Sequence, residues 1–271
     1  MLVKDLNKTA VDEKTASVLQ MWGTRARDWA DYQENTHVPL YERVFAETRI
    51  SSGIKLLDVG CGAGLAVQMA SLMGAEVSGI DQSSQLLAIA EERSPRCEFH
   101  HGIMESLPFD NQTFDVVTGF NSFQFSSDLP NTLREVRRVL KPRGRLAIGV
   151  FGRPEDCDAR EYLDLVRELT QVPEENAPNP FALADENHLR QLVSDAGFVP
   201  LHSHDVECPW NYPDLATALT ALLSPGPMVM AIQAVGEQKV RDALIHLLGK
   251  FRTADGGYQL KNVFRYLISE R

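Results

Sequence analysis

Basic residues are scarce: 27 lysines and arginines stand against 37 acids, a formal net charge of −10, and no basic cluster interrupts that excess. Nonspecific affinity for nucleic acid or an anionic membrane is disfavoured on that ground, and a small molecule is the expected partner. The 4 cysteines, Cys61, Cys97, Cys157 and Cys208, lie far apart and form no CxxC pair. Neither a zinc ribbon nor a disulfide framework is signalled, and a reducing compartment fits best. No uninterrupted apolar run approaches a membrane span, and the opening MLVKDLNKTAVDEKT has no apolar core of signal-peptide length. A soluble, cytoplasmic protein without membrane insertion is the expectation. Internal repeats and low-complexity tracts are also missing.

What is present reads as globular. Hydrophobic residues make up 44% and charged residues 24% of 271, enough chain and enough apolar surface for a sizeable core. From Ile54 to about Gly152, the short apolar runs KLLDVG, AEVSGID, CEFHHG, FDVVTGF and GRLAIGV alternate with helical patterns. That alternation predicts βαβ units and a doubly wound, mostly parallel α/β sheet. Between the runs, LAVQMASLMG places Leu65, Met69 and Leu72 at helical spacing and closes on Gly74. SSQLLAIAEER starts with serine caps and puts Leu86, Leu87, Ile89 and Ala90 on one side. LPNTLREVRRVLKPRG opens near Pro130, aligns Leu133, Val136 and Leu140, and stops before Pro142.

Outside this core, residues 14–49 read as two helices, one with Trp22, Ala26, Trp29 and Gln33 along one spacing, the other starting at Pro39. Downstream, a helix and a proline-rich loop fill 153–184, and DENHLRQLVSDAGF forms a capped helix ending before Gly197. VPLHSHDVECPWNY and YQLKNVFRYLIS each read as one strand, with helices over 214–249 broken at SPGP. The organisation expected is an N-terminal helical lid over 1–50, a cofactor-binding core over 51–152, and the rest of the sheet with inserted cap helices over 153–271.

The informative stretch is LLDVGCGAGLAVQMA, from Leu56 to Ala70. In a strand–turn–helix unit, glycines let a ligand approach the backbone and leave a helix N-terminus facing it. Gly60, Gly62 and Gly64 make GxGxG, with Leu65 where the dinucleotide fingerprint has its third glycine. Asp58, at the strand's end, would repel a pyrophosphate but attract a cationic ligand such as a sulfonium. Asp81 follows about twenty residues later, where a carboxylate accepts both ribose hydroxyls. Cys61, between two glycines, reads as a packing residue of the loop rather than a nucleophile.

Taken together, LLDVGCGAG, GID, GIMESLPFDNQTFDVVTGFNSFQF and LREVRRVLKPRGRLAIGVF resemble the class I S-adenosylmethionine-dependent methyltransferases, in the small-molecule branch of quinone-biosynthesis and natural-product enzymes. The resemblance covers roughly residues 20–155 and implies a seven-stranded Rossmann-like sheet with helical caps, S-adenosyl-L-methionine as cofactor and S-adenosyl-L-homocysteine as product. By that similarity Asp58, Gly60, Cys61 and Gly62 surround the methionyl portion. Asp81 and Gln82 hold the ribose, Ile103, Met104 and Glu105 lie by the adenine, and Asn121 faces the sulfonium. Tyr32 is placed to reach the methionyl carboxylate. One departure stands out: Gly102-Ile103-Met104-Glu105 replaces the family's frequent Gly-Asp-Ala-Glu, so an acid beside the adenine is lost.

The expected reaction is methyl transfer to a small acceptor by in-line displacement, driven mainly by alignment and water exclusion. A hydroxyl or acidic-carbon acceptor also needs a base, for which His37 and Glu34 are the candidates. NSFQF lacks the two prolines of the amine-gripping turn that nucleic-acid methyltransferases carry, which counts against nucleic acid. Phe123 and Phe125 fit either a substrate wall or core. His202 and His204 share a strand face but have no third ligand at a recognisable spacing, so no metal is expected. Two other readings stay open: an S-adenosylmethionine-binding protein without turnover, and a nicotinamide-dependent oxidoreductase. Acceptor, methylated atom and oligomeric state are not written in the sequence.

Overall fold

Each apolar run of the core becomes a strand of one sheet. The computed structural model describes residues 21–172 and 179–271. The strands in chain order are β1 (Lys55–Val59), β2 (Glu76–Asp81), β3 (Glu98–His101), β4 (Phe114–Phe120) and β5 (Leu140–Phe151), then β6 (Val199–Glu207), β7 (Trp210–Tyr212), β8 (Tyr258–Leu260) and β9 (Val263–Glu270). The main sheet has 7 strands in the order β3-β2-β1-β4-β5-β9-β6. Pairings from β3 to β5 are parallel, and β9 enters antiparallel between β5 and β6. The order reverses between β1 and β4, so a crevice opens at their carboxyl ends.

The period-2 geometry of the strands divides the core. Leu56, Val116, Ala147, Tyr266 and Ile268 face one layer, which includes the helices α1 (Val38–Thr48) and α2 (Leu65–Leu72). Leu57, Val117, Leu146, Ile148 and Leu267 face the other, with α4 (Leu129–Val139) and α6 (Glu186–Asp195). Burial on both faces explains why these strands read as unbroken apolar runs. Helix α3 (Ser84–Arg93) packs beside α2 against β2 and β3 and is capped by Ser83, whose hydroxyl accepts from the Leu86 amide at 3.3 Å. Its predicted apolar set, Leu86, Leu87, Ile89 and Ala90, is buried.

Several expectations need correction. Helix α2 buries Ala66, Val67 and Ala70 and packs Leu65 and Met69 partly against the same core, whereas Leu72 is 79% exposed. The first N-terminal helix is instead a series of short turns: α-helical at Ala26–Asp28, π-helical at Trp29–Gln33, then tight at Glu34–His37, before α1 takes over with Pro39 in its first turn. The parts of that segment over 14–20, and of the proline-rich loop over 173–178, lie outside the described residues.

The two late strands also split. Pro209 offers no amide donor, so the ladder of β6 with β9 ends at Glu207–Val263, and β7 with β8 forms a separate ribbon. The corner is held by the Cys208 amide on the Asn262 carbonyl at 2.8 Å and by the Asn262 side chain, which accepts from the Ala159 amide at 2.8 Å. That amide opens α5 (Ala159–Thr170). Above it lie α7 (Leu215–Leu222) and α8 (Gly226–Val235), which meet at 93° across the SPGP break, and α9 (Glu237–Leu248). Among the described residues, no single helix is long and apolar enough to cross a membrane.

Tight packing at the end of β4 gives a direct test. A Cβ on Gly119 overlaps the Phe123 ring, whereas one on Gly53, at φ +86°, meets no atom within 4 Å. Gly119→Ala is expected to lower unfolding free energy by about 1–3 kcal/mol through overpacking. Gly53→Ala should cost only the backbone strain, about 1 kcal/mol. Urea titration of both variants reads the difference, and equal losses would contradict the packing at Phe123.

Candidate active site

The glycine loop leaves β1 with Gly60, Gly62 and Gly64 all at positive φ, 74°, 54° and 80°. The Gly60 and Cys61 amides both donate to the Ile80 carbonyl, at 2.8 and 3.1 Å, which ties the loop to the end of β2. Asp81 completes the tie: its Oδ2 accepts from the Gly62 amide at 2.9 Å and its Oδ1 from the Ser83 amide at 2.8 Å. Each carboxylate oxygen keeps a free lone pair, enough to accept two further hydroxyls. A Cβ on Gly62 would meet only Glu34 and Trp29 atoms, at 3.9 and 4.0 Å, so this backbone is bare toward the cavity.

Three carboxyl groups crowd this loop. Burial pushes Asp58 up to about 7, against the opposing hydrogen bond from the Thr118 hydroxyl at 2.7 Å, and the charges of Glu34 and Asp81 push the same way. Burial likewise lifts Glu34 to about 7, opposed by Arg93. Asp81 is raised as well, burial outweighing its backbone donors. Such a donor set suits a cation and rejects a diphosphate.

Arg93 organises the surroundings. Its guanidinium pairs with Glu34 and donates to the carbonyls of Ala63 at 3.1 Å and Ala30 at 2.6 Å. The glycine loop, α3 and the N-terminal segment are thereby held at one point. Glu34 also accepts from the Leu65 amide at 3.3 Å, capping α2 from outside. Trp22 packs against Gly226 of α8, and Arg25 reaches Glu237 at 2.7 Å, so the same segment bridges to the cap.

His37 sits at the meeting of these parts, buried, with its Nδ1 3.3 Å from the Glu34 carbonyl oxygen. A carbonyl only accepts, so Nδ1 carries the proton and Nε2 accepts from the Asn121 amide at 3.1 Å. Burial pulls the imidazole down to about 4, so it is neutral at pH 7. Asn121 holds a left-handed backbone, φ 51°, and its Oδ1 accepts from Gln124 at 3.2 Å. His37, Asn121 and Gln124 form one chain of hydrogen bonds along the cavity.

The cavity lies at the carboxyl ends of β1, β2 and β4. Of the residues expected from sequence, it brings together Gly60, Gly62, Asp81, Gln82, Met104, Asn121 and His37. Asp58 and Cys61 are buried beneath the loop rather than on the wall. Glu34 is taken up by Arg93 and Leu65, and Glu105 by Ser126 and Ser127, whose hydroxyls each donate at 2.9 Å. Tyr32 is 42% exposed and, with Ile103, does not line the cavity. Phe123 is core and Phe125 is wall. Sequence reasoning missed Tyr41, Phe151, Tyr162 and Trp210, which close an apolar chamber. Tyr41, Tyr162 and Trp210 had no signal beyond aromatic content in the lid and cap segments, and Phe151 stood only as the last residue of LREVRRVLKPRGRLAIGVF. No group of histidines, cysteines and acids among the described residues could hold a metal ion.

Residues 57–148 match the family model described as a methyltransferase domain. The demethylmenaquinone methyltransferase of Chlorobaculum parvum is 48% identical over 92 residues, 33% of this chain and 38% of that protein. The 2-phytyl-1,4-naphtoquinone methyltransferase of Nostoc punctiforme is 37% identical over 134 residues, 46% and 58% of the two chains. The O-methyltransferase resE of Aspergillus sclerotiorum is 31% identical over 170 residues, 60% and 61%. The chain thus spans less than two thirds of these relatives. The YcgJ protein of Bacillus subtilis shares the fold at TM-score 0.58 and 16% identity, over 85% of this chain and 97% of that one. So does the cyclase SpnF, at 0.56 and 21%, over 86% and 79%. Residues 57–148 are thus similar to a methyltransferase domain, and the sheet around them has the fold of these solved structures.

The buried acid below the loop has a measurable signature. With its pKa at about 7, Asp58 takes up a proton on folding, so stability falls as pH rises from about 4 to about 7. Asp58→Asn keeps an oxygen for Thr118 and carries no charge. Without ligand it should be more stable than the parent at pH 8, by about 2–4 kcal/mol, and no different near pH 4. Thermal unfolding at both values checks this, and a variant less stable at pH 8 would count against a buried charge.

Proposed function

We propose that this chain transfers a methyl group from S-adenosylmethionine to a small, largely apolar acceptor whose nucleophilic atom gives up a proton. The observation that carries the reading is the acid-ringed, bare glycine loop opening into an aromatic chamber that holds a neutral, buried His37. S-adenosylmethionine, when bound, supplies a methyl group already activated by its sulfonium, so the chemistry is an in-line displacement.

The residues present fit that group. Asp81 retains the lone pairs to accept both ribose hydroxyls, with Gln82 beside it, and the backbone of Gly60 and Gly62 leaves room for the methionyl chain. Met104, Ile80 and Leu86 offer an apolar bed for the adenine. With Glu105 committed to Ser126 and Ser127, the 103–105 stretch contributes only Met104 and backbone there. The carboxyls of Asp58 and Glu34 favour a cation at the loop through their field rather than by contact.

For the acceptor, the chain supplies position, dryness and a base. Tyr41, Phe120, Phe151 and Trp210 exclude water from the chamber. Alignment of this kind is worth roughly 7–11 kcal/mol of a barrier. As the new bond to carbon forms, the acceptor's proton passes to His37 Nε2, where the acceptor takes over the place of the Asn121 amide. Nδ1–H stays on the Glu34 carbonyl throughout and holds the ring. Glu34 therefore serves as a positioning residue, and His37 is the base.

Three measurements decide the matter. Incubation with S-adenosylmethionine and a panel of phenols, amines and acidic carbons should accumulate S-adenosylhomocysteine. Silence across the panel favours a binding protein without turnover. On an active acceptor, His37→Gln should lower kcat by about 10²-fold or more, with the residual rate rising with pH as the acceptor ionises unaided. The parent rate should fall only toward pH 4–5, where His37 gains its second proton. Calorimetry should find cofactor affinity weakened by about 1–3 kcal/mol in Asp81→Ala. A folded Asp81→Ala with unchanged affinity contradicts the ribose assignment.

A further inference from the structure

Among the polar side chains of the chamber, most are spoken for. The Tyr162 hydroxyl donates to the Leu222 carbonyl at 2.9 Å, Gln33 Oε1 accepts from the Tyr212 hydroxyl behind the wall at 2.6 Å, and the Ser122 hydroxyl donates to the Val59 carbonyl at 2.6 Å. Trp210 is the exception on the cap side. It is 4% exposed, lines the cavity, and its indole N–H has no partner among the described residues. Gln124 Oε1, also buried on the cavity wall, is likewise unpaired. A buried donor without an acceptor is a standing cost, removed when a ligand oxygen arrives.

The position of Trp210 says which part of a ligand this is. Its ring lies 6.0 Å from Tyr162 and 6.4 Å from Phe151. Phe151 stacks on Phe264 at 4.4 Å, and Phe264 meets His37 edge-on at 4.9 Å. A run of ring contacts, through Phe264 in the core and Phe151 on the cavity wall, thus separates the base from Trp210. The corner at Cys208–Pro209 fixes Trp210 there, because it redirects the chain from the main sheet into the ribbon.

We propose that Trp210 determines acceptor specificity by donating its indole N–H to a carbonyl oxygen remote from the methylated atom. The acceptor class is a neutral, flat, apolar ring frame with a proton-bearing nucleophile near His37 and a ketone-type oxygen at the far end. Gln124 Oε1, beside Asn121, is placed to accept from a hydroxyl at the reacting end. This deepens the methyl-transfer reading and rests on it for the naming of the two ends.

The test uses a matched pair of probes, a hydroxytetralone and the tetrahydronaphthol of the same frame, which lacks only the carbonyl. Binding is titrated with S-adenosylhomocysteine present. The intact protein should bind the ketone roughly tenfold more tightly, and Trp210→Phe, which keeps an aromatic ring, should erase that preference, the ketone losing roughly tenfold more affinity than the naphthol. Equal losses for both probes, a preference that survives, or no preference in the intact protein, including no binding by either, overturns the proposal. Should Trp210→Phe fail to fold, the intact protein answers alone. It has 3 tryptophans, so the indole N–H signals of nitrogen-15 spectra are assigned with Trp22→Phe and Trp29→Phe. The Trp210 signal should move downfield with the ketone and not with the naphthol, and a signal indifferent to both overturns the assignment. Failure of the underlying reading is seen separately, as absent binding of S-adenosylhomocysteine.

Discussion

Asp81 ties the end of β2 to the glycine loop through the Gly62 amide, and the site depends on that tie. It fixes the loop in its left-handed turns while leaving the carboxylate able to accept more. The same carboxylate, with Asp58 and Glu34, concentrates negative charge where burial makes charge expensive. Left without a cation, such a cluster meets that cost by holding protons, as the raised values of Asp58 and Glu34 indicate. A positively charged ligand relieves it directly. Charge and bareness, which conflict for a phosphate ligand, are compatible for a sulfonium.

Arg93 is the second element of this balance. It neutralises Glu34 and gathers the carbonyls of Ala30 and Ala63, so the N-terminal segment cannot leave the glycine loop without exposing a buried charge. That segment also meets the cap through Trp22 and Arg25. Glycine loop and aromatic chamber are thus roofed by one stretch of chain, which also carries His37.

How much of this the sequence disclosed follows from where its signals are local. The strands of the core, the serine and aspartate caps and the loop acids are short-range features with a fixed period or spacing, and they were legible. Leu72 was misread because helical spacing says which residues share a face, not which face meets the sheet. The split of VPLHSHDVECPWNY and of YQLKNVFRYLIS depends on pairing between segments far apart in the chain, although Pro209 within the first was a usable sign. Glu34 looked like a base because its ion pair with Arg93 comes from another helix. Tyr41, Tyr162 and Trp210 carry no motif at all, since a wall needs only bulk and shape, and Phe151 ends the stretch LREVRRVLKPRGRLAIGVF without any sign that its ring lines a cavity.

The segment that matches the methyltransferase family model, residues 57–148, carries the glycine loop, Asp81 and Asn121. The same fold is shared by a protein known as a cyclase, so the sheet by itself does not dictate methyl transfer. In this chain the sheet contributes the loop, Asp81 and Asn121, which any acceptor would share. Selectivity has to come from the corner at Asn262, the ribbon of β7 and β8, and the break between α7 and α8. Among these, a buried N–H with no partner distinguishes acceptors far more sharply than apolar walls do, because a ligand that leaves it unpaired gains nothing from its burial. The chamber's discrimination therefore rests on Trp210 more than on the volume its aromatic neighbours enclose.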